Sequence, residues 1–128
     1  MYIAHIKNNT SFRFELQELE DHLDGTAQLA FIFASDFNNA EWGKVLGLWH
    51  DLGKYSDEFQ EYIKKNSGFE EGERLGKTDH TSAAAILSKE IYPNLWPPIA
   101  YCIAGHKPIT APATAPTTIV APRRRRVD

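Results

Sequence analysis

Leu48-Trp49-His50-Asp51-Leu52-Gly53-Lys54 is the stretch from which the rest of the chain is read. A histidine and an aspartate stand side by side at the end of an apolar run, with a glycine and a lysine close behind. Imidazole and carboxylate next to each other suit a divalent metal ion, because each offers a lone pair and the carboxylate has two oxygens with which to bridge two ions. Upstream, Trp42, Val45, Leu46 and Trp49 form the apolar stripe of a helix over about 40–52. Gly43 and Gly47 each cost that helix about 1 kcal/mol relative to alanine, so they imply close approach by a neighbour. Gly53 fits the helix stop, where a left-handed residue is needed, and Ser56 fits the cap of the next helix, with Asp57 and Glu58 in its first turn.

Outward from this stretch the pattern is helical. Leu16, Leu19, Leu23, Ala27, Ala30 and Ala34 recur at helical spacing over about 15–35, and His22, three residues after Leu19, shares their inward face. Residues 2–14 read as a short extended lead with a turn at Asn8-Asn9-Thr10-Ser11. A third helix over about 57–65 turns Phe59, Tyr62 and Ile63 to the core, and a charged loop follows over 69–78. Gly72-Glu73-Arg74-Leu75-Gly76-Lys77-Thr78 is not a phosphate-binding loop: three residues separate its glycines where four are required, and no strand precedes it. Asp79-His80-Thr81-Ser82 opens a fourth helix, capped by Thr78 or Asp79. Pro97-Pro98 starts a fifth, on which Ile99, Cys102, Ile103 and His106 share one face and Cys102 reads as core packing. Five helices carrying four inward histidines and an aspartate predict an all-α bundle with a metal site between its helices.

Composition sets the class. A chain of 128 residues with 42% hydrophobic and 12% aromatic side chains is a single globular domain with a modest core. One cysteine excludes an internal disulfide and fits a reducing compartment, and no run approaches the ~20 apolar residues of a membrane span. A cytoplasmic protein without membrane contact is expected. The net charge of −3 is uneven: without residues 123–128, which hold Arg123 to Arg126, the body has 10 basic and 16 acidic side chains, or −6. Such a body does not hold nucleic acid by broad phosphate neutralisation. After Lys107 the Pro, Ala and Thr-rich segment 108–128 reads as a disordered tail, so the domain is expected over 1–107.

Taken together, Ala4-His5, His22-Leu23, the run from Leu46 through His50-Asp51 to Ser56, Phe59-Gln60, Asp79-His80-Thr81-Ser82-Ala83-Ala84 and Ala104-Gly105-His106 resemble the HD superfamily of metal-dependent phosphohydrolases. More narrowly, they are similar to the HD nuclease domain of the type I CRISPR nuclease-helicase. The resemblance covers roughly residues 2–107, and His-Asp-x-Gly-Lys-Tyr-Ser-x-x-Phe-Gln is its most specific part. It implies a metal-dependent endonuclease that cuts single-stranded DNA in antiviral defence, supplied by a helicase and a guide-RNA surveillance complex.

The resemblance also guides the expected roles. His22, His50 and Asp51 take a first ion, and Asp51 bridges to a second held by His80 and His106. Lys54 contacts substrate phosphate or orients water. So much imidazole favours manganese or iron, with nickel, cobalt or zinc as alternatives, over magnesium. Two departures stand out: His106-Lys107-Pro108 replaces the family's paired histidines, and the distal aspartate that completes the first ion has no good counterpart, Asp128 being a poor one. The family domain continues well past the equivalent of residue 107, so a truncated or frame-shifted copy is expected. The alternatives are an impaired remnant acting as a binding module, and a phosphohydrolase of small nucleotides.

Overall fold

The computed structural model describes residues 1–10 and 13–105; His106 and the expected tail over 108–128 lie outside the described residues. The chain opens with a hairpin, which corrects the all-α expectation. Strand β1 (Ile3–Thr10) pairs antiparallel with β2 (Arg13–Glu18), and helix α1 (Leu19–Ser35) begins directly after it. Residues 15–18, read above as the start of a helix, therefore belong to a strand. An extended lead on its own leaves backbone N–H and C=O groups unpaired, and the segment beyond the turn supplies their partners. The spacing of Leu16 from Leu19 misleads because Leu16 is 37% exposed and takes no part in the core. The described residues are thus mixed, five helices with a two-stranded sheet.

Helix α2 (Ala40–Trp49) lies against α1 through small residues on both. A Cβ on Gly43 would sit 2.3 Å from the Ala30 carbonyl oxygen, and one on Gly47 would sit 2.5 Å from the Ala27 Cα. The close approach inferred from these two glycines is present, and it brings the end of α2 alongside His22. A 3-10 turn, Leu52–Tyr55, follows. Gly53 does not take the left-handed conformation, which belongs instead to Gly68 (φ 78°) at the end of α3 (Asp57–Ser67). Ser56 caps α3 as expected, its hydroxyl accepting the Phe59 N–H at 3.2 Å.

Helices α4 (Ser82–Ile91) and α5 (Trp96–Ala104) pack on each other. Asp79 secures the entry to α4: one carboxylate oxygen accepts the Thr81 N–H at 3.0 Å and the Ser82 N–H at 3.3 Å, and the other accepts the Ser82 hydroxyl. These bonds, led by that from the Ser82 hydroxyl, hold the Asp79 carboxyl down to about 2. Asp79→Ala is expected to lower stability by about 1 kcal/mol, the usual cost of a lost helix cap. Because the folded pKa is depressed, the contribution is present above the ordinary carboxylate pKa and fades as pH falls through about 2. Chemical denaturation of both proteins at pH 7 and pH 2 checks it.

Among the described residues the apolar core is in two parts. Ala4, Leu19 and Leu23 form one and Ala84, Ile99 and Ile103 the other, and Leu52 packs against both. The residue preceding this shared side chain is Asp51. Cys102, expected in the core, is exposed. No helix among the described residues is long and apolar enough to cross a membrane.

Candidate metal centre

Four elements deliver polar side chains to one point. α1 supplies His22, the end of α2 supplies His50, the residue before the 3-10 turn is Asp51, and the segment ahead of α4 supplies His80. Asp51 is 1% exposed and its Oδ2 is crowded: Lys54 Nζ lies at 2.8 Å, His22 Nε2 at 3.1 Å and His50 Nε2 at 3.2 Å. Its Oδ1 has no hydrogen-bond partner, and His80 Nε2 stands off at 3.7 Å. A buried carboxylate oxygen without a partner costs about 1–3 kcal/mol, more for a charged group, so Oδ1 is an atom whose energy a bound cation would lower.

The imidazoles converge on the same carboxylate. His50 Nδ1 faces the Gly47 carbonyl at 2.7 Å. A carbonyl only accepts, so Nδ1 carries the hydrogen and Nε2 is the nitrogen turned to Asp51 and His22. The His22 and His50 Nε2 atoms are 3.2 Å apart, both aimed at Asp51. Imidazole nitrogens converging on one carboxylate oxygen are a donor set for a cation.

Charge follows from this packing. Burial alone raises a carboxyl pKa, yet the hydrogen bonds and charges of His50 and Lys54 overcome it and hold Asp51 well below the usual carboxylate range. Burial draws His50 down, but its bonds to Asp51 and the Gly47 carbonyl outweigh that, and its pKa ends above the ordinary value. His22 and His80 are lowered, first by burial and also by the Lys54 ammonium.

The structure also brings in a residue that the sequence did not assign. His5, on β1, joins His22 and Asp51 in a group whose ligand atoms lie within 4.8 Å of one another, and this group could hold a metal ion. Its ring stands edge-on to His22, centroids 4.9 Å apart. His5 is an exposed residue, yet desolvation of its ring first, and then Lys54, lowers its pKa to about 4, so its imidazole is neutral at pH 7. The Ala4-His5 pair was visible in the sequence, but nothing in its spacing tied a strand residue to the centre.

Of the expected residues, His22, His50 and Asp51 meet directly, His80 stands on the unpaired side of Asp51, and His106 lies outside the described residues. Lys54 is 4% exposed and occupied by Asp51 and by the Ala4 carbonyl at 3.3 Å. A cavity of about 840 Å³ is lined by the residues of the centre together with Leu46, Phe59, Tyr62, Ile63, Ile103 and Lys77. Comparison of the sequence with protein-family models and with curated proteins gives no match in either.

Proposed function

We propose that this chain is an HD-type metal-dependent nuclease that cuts single-stranded DNA in CRISPR interference, in company with a helicase and a guide-RNA surveillance complex. The observation that supports it most is the convergence of His22 and His50 Nε2 on Asp51, whose second oxygen is buried and unpaired. The family resemblance supplies the substrate and the partners. His22, His50 and Asp51, with His5 beside them, would hold one ion; His80 and His106 would hold a second against Asp51. Manganese or iron suits a set dominated by imidazole. Such ions lower the pKa of water and neutralise charge on a phosphodiester.

The protein's own groups prepare that site. Gly47 fixes the tautomer of His50 through its carbonyl. Lys54 balances the Asp51 charge in the interior and keeps it ionised. Engaged in this way, it serves as a counter-charge rather than as a reach for substrate phosphate. The cavity wall of Phe59, Tyr62 and Ile63 offers apolar surface next to the centre, which suits an unpaired base better than a rigid duplex.

A binding module holding one ion is the second reading, favoured by a specific observation: on the second-ion side only His80, at 3.7 Å, faces Asp51 among the described residues. Cleavage of circular single-stranded DNA by the purified chain with added manganese separates the readings, since a circle can be opened only by an endonuclease. Linear product is expected. Intact circles with hydrolysis of free nucleotides would point to a small-nucleotide phosphohydrolase, and neither activity with one bound ion per chain would establish the module.

A further inference from the structure

Gln60 is 8% exposed, and its whole amide is engaged. Its Oε1 accepts the Ile3 N–H at 2.9 Å, while its Nε2 donates to the Ile3 carbonyl at 2.9 Å and to the Lys54 carbonyl at 2.8 Å. One side chain on α3 therefore ties β1 to the turn that follows Asp51. A buried amide with every hydrogen bond made is a rigid joint, because moving either partner leaves polar groups unpaired.

The register of β1 changes at the same place. Ile3 faces Glu18 and His5 faces Gln17, so Ala4 is the extra residue of a β-bulge. Bulges re-aim the side chains beside them and are over-represented next to functional sites. Here the Ala4 carbonyl accepts from Lys54 Nζ at 3.3 Å, and His5 Nε2 comes within 3.5 Å of the same ammonium. The bulge turns His5 toward Asp51, and Gln60 fixes the residue from which the bulge starts.

We propose that Gln60 is a positioning residue of the metal centre: by clamping Ile3 to the Lys54 carbonyl it seats His5 as a ligand beside His22 and Asp51. The inference rests on the metal-centre reading and extends it to a residue that touches no ligand atom.

Cobalt(II) titration of the metal-free full chain, followed by visible absorption, tests it. His5→Ala and Gln60→Leu are each expected to weaken cobalt binding about 10-fold or more, as losses around metal ligands commonly do, and to change the ligand-field bands alike. The double variant should bind no more weakly than His5→Ala alone, since both act through one imidazole. Gln60→Glu keeps the acceptor for the Ile3 N–H but offers no donors, so it should behave as Gln60→Leu does and serves where that variant does not fold. Melting of the metal-free proteins registers the purely structural part. Gln60 variants that melt earlier yet bind cobalt with the original affinity and spectrum would overturn the proposal, as would losses that multiply in the double variant. Wild type and His5→Ala binding equally well would sink this inference alone and leave the metal-centre reading standing. A wild-type chain that takes up no cobalt would remove both.

Discussion

Asp51→Ala is expected to abolish metal retention and DNA cleavage together and to destabilise the metal-free fold. The first effect follows from geometry: Asp51 is the group on which His22, His50 and Lys54 converge, and among the described residues the imidazoles have no other carboxylate in common. The second follows from electrostatics. Lys54 is 4% exposed, and taking away its carboxylate leaves an ammonium buried without a counter-charge. Breaking one side of such a pair costs about 3–5 kcal/mol, while replacing both partners by apolar groups of similar size is often neutral. Asp51→Ala combined with Lys54→Met should therefore recover most of the lost stability and none of the metal binding. Urea denaturation of the metal-free proteins, with metal content measured after dialysis, checks both statements. A folded Asp51→Ala protein that keeps its metal and cuts DNA would sink the assignment of the centre.

Gly53→Ala is the second substitution with a large expected effect, and its cause is purely steric. A Cβ at position 53 would lie 2.0 Å from the His80 carbonyl oxygen and 2.7 Å from its Cα, so backbone meets backbone with no flexible side chain to yield. Overpacking of this kind costs about 1–3 kcal/mol and occasionally more. Relief requires the segment ahead of α4 to move away, taking His80 from the unpaired oxygen of Asp51. Lower stability and weaker metal binding are expected together. Gly25→Ala is the control: nothing lies within 4 Å of its Cβ position, and within α1 alanine gains up to about 1 kcal/mol over glycine. Parallel melts and metal titrations of the two variants give the comparison, and a Gly53→Ala protein as stable as Gly25→Ala would refute the close contact.

Gly53 shows how a correct expectation of importance can carry the wrong reason. Its place after an apolar helix suggested a left-handed stop, yet the chain there enters a 3-10 turn, and the glycine is needed because another segment crosses it. That contact joins residues 53 and 80 and has no trace in local sequence. Gly43 and Gly47 were legible for the opposite reason: two glycines four apart inside a helix have few explanations other than a close neighbour, and α1 is that neighbour.

Local chemistry by itself determined the starts of α2 and α3, the Ser56 cap, the glycine-lined contact of α2 and the inward direction of His22, because periodicity, capping and glycine cost act over a few residues; it ran α2 three residues too far, past its end at Trp49. The sequence also nominated His22, His50, Asp51 and His80 for one site. Only the tertiary structure decided that residues 13–18 are a strand, since a strand is defined by the partner it pairs with. It alone decided that Lys54 turns inward to Asp51 and that His5 joins the centre through a bulge held by Gln60. The Lys54–Ala4 and Gln60–Ile3 hydrogen bonds that set these positions span 50 and 57 residues of chain, and bonds at that separation depend on how whole elements pack, which no local pattern encodes.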